Sequence, residues 1–289
     1  MSRLTSLPGG AVTPLGARAL RRAIVVVGLS LFVAASLLPF LYLLSTSFKE
    51  TTNLFSYPPE WVPSEPTLTN FRGLLSDLPF LRWTLNTLLV ASAVTVVKLL
   101  IDSMAAYAFA QMEFAGRRAL FASMFAMVMV PQAVLIIPLF FLVRDMGLLD
   151  TYWALILPPL ANPIGIFMMT AFIRALPKDI ENAARIDNCG AFDVFWRVVL
   201  PLVKPGLVVV GIYTFLQQYV SFVWPLVATQ SSSLMVLTTG LASIRPAADT
   251  VNWGLISAGS LAAMVPITIV FIVFQRQFVN AGISSALKQ

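Results

Sequence analysis

Long apolar runs separated by short polar segments divide most of this chain into stretches of membrane-spanning length. A helix needs about 20 apolar residues to cross a bilayer. The runs that meet this length lie at 23–48, 83–110, 119–143, 151–173, 206–228 and 253–275. The pattern therefore predicts an all-α membrane protein with six transmembrane helices. We expect residues 18–289 to form one transmembrane domain, and the Pro- and Gly-containing segment 1–17 to be disordered.

Composition supports a membrane protein and argues against several kinds of site. Hydrophobic residues make up 58% of the chain and charged residues 11%, whereas about a quarter of a soluble domain is charged. The chain has no histidine, so the commonest metal ligand is missing, and its single cysteine, Cys189, excludes an internal disulfide. No group of cysteines or carboxylates predicts a metal or catalytic site. We therefore expect a non-enzymatic chain that binds no cofactor itself.

The distribution of positive charge predicts the orientation of the six helices. One side of the predicted bundle collects thirteen basic residues: Arg3, Arg18, Arg21, Arg22, Arg117, Arg118, Arg174, Lys178, Arg185, Arg197, Lys204, Arg276 and Lys288. The other side collects five, namely Lys49, Arg72, Arg82, Arg144 and Arg245. Because cytoplasmic loops carry the excess of Lys and Arg, both termini are predicted to be cytoplasmic. The same asymmetry accounts for the net charge of +6 without a nucleic-acid partner.

A polar loop separates the fourth and fifth predicted helices, also on the cytoplasmic side. Residues 181–206 read ENAARIDNCGAFDVFWRVVLPLVKPG. The pattern predicts a short helix, a break at 188–190 where Asn and Gly accept left-handed backbone, and a second helix over 192–199. The loop is either an interfacial hairpin with no partner or a docking element for a soluble protein.

Polar residues inside the predicted spans are candidates for a solute path. Tyr213, Gln217, Ser221 and Trp224 would share one face of a continuous fifth helix, with Gln218 beside them. Amides donate to and accept from hydroxyls, and aromatic rings can lie against the apolar face of a sugar, so this face suits a neutral polyol. Hydrogen bonding between helices is an equally weighted alternative for Gln217 and Gln218.

Three other positions favour packing over transport. For Gln132 and Asn162, at the centres of the third and fourth spans, hydrogen bonding between helices is the preferred interpretation. Lys98 and Asp102 lie four residues apart in the second span. We interpret them as an internal ion pair rather than as a proton or ion relay.

The 181–201 segment resembles the cytoplasmic coupling loop, or EAA loop, of ABC-importer permeases. Ala183-Ala184, Arg185-Ile186-Asp187 and the ending Val198-Val199-Leu200-Pro201 match the pattern of the sugar permeases. Two positions depart from it. Asn182 stands where the family has Glu, with Glu181 just before it, and Asn188 stands where the family has Gly, with Gly190 two residues later.

The resemblance extends along nearly the whole chain, to carbohydrate permeases of the maltose "G-subunit" type. The matching segments are 57–71 in the first external loop, Asn86-Thr87-Leu88, 105–110, Trp224-Pro225-Leu226 and 275–279. The resemblance implies one half of the translocation path of an ATP-driven, binding-protein-dependent carbohydrate importer in the bacterial cytoplasmic membrane. It also implies a second permease subunit, a cytoplasmic ATPase dimer and an extracytoplasmic solute-binding protein as partners, in contact with membrane lipid.

By the same resemblance, ATPase coupling falls to Glu181, Asn182, Ala183, Ala184, Asp187, Asn188 and Gly190. Because the chain lacks a phosphate-binding loop, ATP and Mg²⁺ are expected on the partner ATPase. Two alternatives stay open. One is a secondary carrier driven by an ion gradient, and the other is an ABC importer of a glycerol-phosphate-type solute.

Overall fold

The described part of the chain folds entirely into helices and connecting turns. The computed structural model describes residues 15–50, 60–177, 179, 189–244 and 251–286, with side chains from residue 20 to residue 275. The first helices are α1 (Leu15–Ser47), α2 (Thr69–Ser76), α3 (Phe80–Gln111), α4 (Arg117–Met129), α5 (Gln132–Asp145) and α6 (Tyr152–Leu160). They are followed by α7 (Ile164–Arg174), α8 (Ala191–Leu202), α9 (Lys204–Tyr219), α10 (Val223–Ala228), α11 (Leu237–Ala242) and α12 (Trp253–Ala286).

Within these residues, three helices are each long and apolar enough to cross a membrane. They are Leu20–Ser47 of α1, all of α3, and Trp253–Gln275 of α12. Three consecutive pairs reach spanning length only together, and each pair is bent: α4 and α5 by 101°, α6 and α7 by 46°, and α8 and α9 by 79°. The described residues therefore provide three to six candidate spans. Five lie where the sequence predicts a span, whereas the α8–α9 pair covers 191–219 instead of the predicted 206–228.

Proline accounts for the place of each bend. Pro131 separates α4 from α5, Pro163 precedes α7, and Pro205 is the second residue of α9. Proline lacks an N–H and disfavours helical backbone at the preceding residue, so a helix tends to end there. Other prolines lie inside continuous helices, among them Pro39, Pro138, Pro158, Pro159 and Pro266.

Helix α3 contributes to each of the three buried clusters of the described bundle. Tyr107 and Phe109, near its C-terminal end, join a buried cluster with α7, α8 and α9. Val90 and Val94, farther towards its N-terminus, pack with α5, α6 and α10. Trp83, in its first turn, packs with α2, α9 and α11. One helix of 32 residues, roughly 48 Å long, thus contributes to all three clusters.

Glycine brings two pairs of helices into close contact. A Cβ at Gly206 of α9 would lie 2.6 Å from Phe172 Cγ of α7. A Cβ at Gly240 of α11 would lie 2.2 Å from Trp83 Cδ2 of α3. Small residues of this kind let backbones approach closely where lipid provides no hydrophobic drive for association.

The predicted fifth span, 206–228, differs from the structure. Helix α9 ends at Tyr219, and α10 begins only at Val223. The Ser221 carbonyl in the break accepts a hydrogen bond from Thr238 Oγ1 at 2.6 Å, and the Tyr219 hydroxyl donates to the Ala263 carbonyl of α12 at 2.7 Å. These tertiary contacts hold the chain in a turn that hydropathy alone does not reveal.

We expect Gly240→Ala to destabilise the chain, because the added methyl group overlaps the Trp83 ring. Overpacking of this kind costs about 1–3 kcal/mol. Gly28→Ala is the matched control, since a Cβ at Gly28 has no neighbour within 4 Å. Thermal unfolding of the detergent-solubilised chain should show a lower midpoint for Gly240→Ala only. Equal midpoints for the two variants would contradict the close α3–α11 contact.

Candidate functional site

Helix α8 forms the C-terminal half of the polar loop and has one buried face. Val194, Phe195 and Val199 are between 1% and 3% exposed. On the opposite side, Phe192 is 64% exposed and Trp196 is 39% exposed. The predicted second helix over 192–199 is thus present within α8, and it presents two large apolar side chains outwards.

The buried face of α8 packs into the C-terminal end of α3 and into α7. The rings of Phe195 and Tyr107 lie 5.6 Å apart between centroids, and the surrounding cluster includes Met169 and Ile173 of α7. Helix α8 then turns by 79° into α9 with only Val203 between them. A displacement of α8 must therefore move the side chains of α3 and α7, or break a fully buried contact.

A π-helical turn over Phe195–Val199 lies within α8. Such turns are rare in proteins, and those that occur are often found at functional sites. Beside it, Arg197 Nε lies 3.4 Å from Asp193 Oδ1, but the two side chains are 79% and 49% exposed. An exposed pair of this kind contributes little to stability, so the packed face, rather than the ion pair, holds α8 in place.

Most of the predicted coupling residues lie outside the described residues. These are Glu181, Asn182, Ala183, Ala184, Asp187 and Asn188. Gly190 is described: it is exposed and non-helical, and its carbonyl accepts the Val194 N–H at 3.0 Å at the start of α8.

The predicted path residues are divided between two helices and the turn that joins them. Tyr213, Gln217 and Gln218 lie on α9, where Gln217 is exposed and the other two are half-buried. Neither Gln amide makes a hydrogen bond within the part of the chain that the structure describes. Both amides are therefore available to a ligand or to another subunit.

The other two predicted path residues do not continue the α9 face. Ser221 lies in the turn after α9, and Trp224 lies on α10. Trp224 Nε1 donates to the Ala154 carbonyl of α6 at 2.8 Å. Its indole N–H is thus used in packing α10 against α6.

Lys98 and Asp102 form an ion pair inside the bundle, as the sequence predicted. Lys98 Nζ lies 2.8 Å from Asp102 Oδ2, and the two side chains are 6% and 1% exposed. Lys98 Nζ also donates to the Asn162 carbonyl in the break between α6 and α7. A Cβ at Gly165, in the first turn of α7, would lie 1.8 Å from Asp102 Oδ2.

This placement matches each charge to a helix end. The ammonium group lies at the C-terminal end of the α6 segment, where carbonyl groups carry partial negative charge. The carboxylate lies against the N-terminal turn of α7, which carries partial positive charge. The pair therefore places opposite charges against the two helix ends that meet at the α6–α7 bend, and neither charge can be removed there alone without cost. Asn162 acts there through its backbone carbonyl, while its side chain accepts from the Ile164 N–H at 3.0 Å.

A polar network at the opposite end of α3 was not among the predicted sites. Asn86 Nδ2 donates to the carbonyls of Ser233 and Met235, both at 2.9 Å, and Asn86 Oδ1 accepts from the Tyr152 hydroxyl at 2.8 Å. Thr87 Oγ1 accepts from the Leu237 N–H at 2.7 Å. In the sequence, the Asn-Thr-Leu motif at 86–88 indicates only the family resemblance.

Asp150 joins the α5–α6 turn to the same segment. It has a positive φ of 57°, and its Oδ1 accepts from the N–H groups of Gln230 and Ser231, both at 2.9 Å. Hydrogen bonds from the Ser231 hydroxyl and backbone, and from Gln230, lower the pKa of the Asp150 carboxyl below its ordinary 3.8. A depressed pKa means that this link is intact at neutral pH. It weakens only as the pH falls below 3.8 towards the folded-state pKa.

Comparison with known proteins yields one family. Residues 100–281 match the family described as "binding-protein-dependent transport system inner membrane component". The arabinooligosaccharides transport system permease protein of Halalkalibacterium halodurans is 34% identical over 89% of this chain and 93% of its own length. The trehalose transport system permease protein of Mycobacterium tuberculosis is 32% identical over 90% and 95%. These matches confirm the resemblance predicted from the loop and helix motifs.

Solved structures share the fold. A bacterial ABC transporter involved in the import of alginate, an acidic polysaccharide, aligns with 93% of this chain and 99% of its own, with a TM-score of 0.79 and 20% identity. A second alginate ABC transporter structure, in complex with an alginate pentasaccharide-bound periplasmic protein, aligns with a TM-score of 0.58 and 14% identity.

We expect removal of one partner of the buried ion pair to cost much more than removal of both. Asp102→Leu leaves the Lys98 ammonium buried without its counter-charge, which costs about 3–5 kcal/mol. The double variant Lys98→Met with Asp102→Leu should recover most of that stability, because an apolar pair replaces the ion pair. Unfolding of the wild-type chain, the single variant and the double variant in mixed micelles measures the difference in stability.

The exposed pair Arg144–Asp145, whose side chains are 51% and 66% exposed, provides the control. Asp145→Leu should change stability by less than about 1 kcal/mol. If Asp102→Leu were tolerated as well as Asp145→Leu, the stabilising role of the buried pair at the α6–α7 bend would be wrong.

Proposed function

We propose that this chain, which belongs to the family of binding-protein-dependent transport system inner membrane components, is a membrane-spanning subunit of an ATP-driven carbohydrate importer. The observation that carries the proposal is the packing of α8. The segment that follows the coupling-loop motif presents Phe192 and Trp196 outwards and buries Phe195 against Tyr107 of α3. This arrangement suits an element that takes a push from a soluble partner and passes it to the helices.

Carbohydrate is the solute class that we propose. The relatives described above are named for arabinooligosaccharides and trehalose. The polar side chains of α9 are neutral beyond its first residue, Lys204. Neutral amides and a phenol suit sugar hydroxyls, whereas a glycerol-phosphate-type solute calls for basic groups along the path.

The proposed topology has six spans, with both termini and the α8 end of the bundle in the cytoplasm. Each bent pair is counted as one span. Arg117, Arg118 and Arg174 lie at the C-terminal end of α3, where α8 also packs. An excess of basic residues at that end is typical of a cytoplasmic face. The membrane is proposed to be the bacterial cytoplasmic membrane.

The proposed partners are a second permease subunit, an ATPase dimer that binds ATP and Mg²⁺, and a solute-binding protein. The Asp150–Ser231 link and the Asn86 network lie at the end of α3 opposite α8. This end would therefore face the binding protein. One structural neighbour was solved together with a periplasmic protein, which supports this assignment.

An ion-coupled secondary carrier is the alternative function. Such carriers need intramembrane carboxylates that bind or release the coupling ion. Asp102 is 1% exposed and is neutralised by Lys98, so it stabilises the α6–α7 bend instead of facing a path. Reconstitution decides between the functions: vesicles containing this chain and its proposed partners should take up carbohydrate only with internal ATP. Uptake by this chain alone, driven by an ion gradient, would overturn the importer.

Two variants should separate ATPase docking from transmission of movement. Ala184→Arg places a bulky charge in the EAA motif, so the ATPase should no longer co-purify. Phe195→Ala removes the ring that contacts Tyr107. The ATPase should still co-purify with this variant and hydrolyse ATP. Carbohydrate uptake should fall at least about tenfold, which corresponds to the loss of a contact of about 1.4 kcal/mol or more. Arg197→Gln, at a side chain that is 79% exposed, is the control. Full uptake by Phe195→Ala would remove α8 from the coupling route.

Gln217→Leu should lower carbohydrate uptake about three- to tenfold, because one hydrogen bond to a sugar hydroxyl is lost. Co-purification of the ATPase should be unchanged. Gln132→Leu makes the same change at an exposed residue at the start of α5, outside the proposed path. Equal uptake by the two variants would assign Gln217 to subunit packing.

A further inference from the structure

An open cavity beside α4 combines arginines with an aromatic wall. Its volume is about 380 Å³, within the range of about 300–1,000 Å³ typical of small-molecule sites. Arg117 and Arg118 line it from α4, and Arg174 lines it from the end of α7. The apolar lining comes from Phe109, Phe121, Ala122 and Phe125.

The cavity-lining side chains of α4 change from basic to aromatic along the helix axis. Arg118, Phe121, Ala122 and Phe125 follow the spacing i, i+3, i+4, i+7 and therefore share one face of the helix. The seven residues from Arg118 to Phe125 advance about 10 Å along the axis. A ligand in this cavity thus meets positive charge at one end and aromatic rings farther along. Phe125 is 59% exposed, so the apolar end opens outwards.

Two of the three arginines are positioned by contacts within the chain, and both keep unused N–H donors. The Arg174 guanidinium lies 5.4 Å from the centroid of the Phe121 ring, and Arg117 Nη1 donates to the Met112 carbonyl at 2.8 Å. Each guanidinium has five N–H donors, so most of them are unused by these contacts. No ion pair joins any of the three to a carboxylate within the described ranges. The site therefore has a net positive charge that the described chain does not compensate.

From these observations we infer that the cavity binds the phosphate headgroup of an anionic phospholipid, with the acyl chains lying along the Phe121–Phe125 side of α4. Arginine clusters bind phosphate oxygens by charge-assisted hydrogen bonds. Basic pockets between helices at the cytoplasmic side of a membrane suit anionic lipid headgroups. The inference rests on the proposed topology, which places these arginines at the cytoplasmic leaflet. It is independent of the transported solute.

Native mass spectrometry of the full-length chain in neutral detergent tests the site, with phosphatidylglycerol and phosphatidylcholine of identical acyl chains as probes. The wild-type chain should bind phosphatidylglycerol preferentially. The double variant Arg118→Gln with Arg174→Gln should bind it at least about twentyfold more weakly, at roughly fivefold for each charge. Arg144→Gln is the matched control, because Arg144 also lies over a phenylalanine ring, 4.7 Å from the centroid of Phe141, but outside the cavity.

A cavity-filling variant separates a built site from diffuse attraction. Ala122→Trp keeps all three arginines and fills the cavity, so phosphatidylglycerol binding should fall as in the double variant. Leu120→Trp, on the opposite face of α4 at a side chain that is 52% exposed, should bind normally. Equal binding by the Ala122→Trp and wild-type chains, or equal wild-type binding of the two lipids, would overturn the inference.

Two further measurements identify the ligand and the partner class. Inorganic phosphate at millimolar concentration should not displace the lipid. Full displacement would mean a free-anion site and would overturn the lipid assignment. Loss of the ATPase from the double variant, with lipid binding unchanged, would assign the arginines to a protein partner instead. Because lipid binding is measured without transport, a failure of carbohydrate uptake leaves this test intact.

Discussion

A bilayer provides no water to satisfy the backbone groups that a broken helix leaves unpaired, and α3 satisfies many of them in this chain. Lys98 donates to the Asn162 carbonyl in the α6–α7 break, and Asn86 donates to two carbonyls of the segment before α11. Thr87 accepts the Leu237 N–H at the start of α11. Non-helical backbone at membrane depth is tolerated only where protein or a cavity satisfies it. The α6–α7 break is therefore tolerated because α3 passes beside it as one continuous helix.

The same arrangement recurs where α1 ends. Asn70 Nδ2 on α2 donates to the carbonyls of Ser47 and Lys49, at 2.9 and 2.8 Å. A Cβ at Gly254 would lie 2.6 Å from this amide nitrogen, so α12 closes over it. One buried amide thus joins α1, α2 and α12. Loss of such a group would leave buried carbonyls unsatisfied, which costs about 1–3 kcal/mol for each.

Because α3 is one continuous helix, it also connects the two ends of the bundle. Its C-terminal end holds α8 through Tyr107, and its N-terminal end holds the 231–237 segment through Asn86. Packed interiors have low compressibility and transmit displacement. Between the two ends, the Lys98–Asp102 pair fixes α3 to the α6–α7 bend. We therefore expect a shift of α8 to be passed along α3 to the elements at the opposite end of the bundle.

Features that depend on residues close together in the sequence could be predicted from local patterns. The apolar run 83–110 corresponds to α3, and the i, i+4 spacing of Lys98 and Asp102 predicts their ion pair. The features that sequence reasoning missed depend on residues distant along the chain. Lys98 and Asn162 are 64 residues apart, and Asn86 and Ser233 are 147 apart. No periodicity in a single segment encodes such pairs.

The break after Tyr219 shows why the predicted path was only partly continuous in the structure. Hydropathy runs unbroken from α9 into α10, so the sequence predicts one helical face that includes both Gln217 and Trp224. The break is instead held by Thr238 and by the Tyr219 hydroxyl, each bonded to a distant carbonyl. Trp224 is then committed to α6 through its indole N–H, whereas Gln217 stays exposed on α9. The turn thus separates a side chain that packs the bundle from an exposed amide, and the proposed path would therefore follow α9 rather than α10.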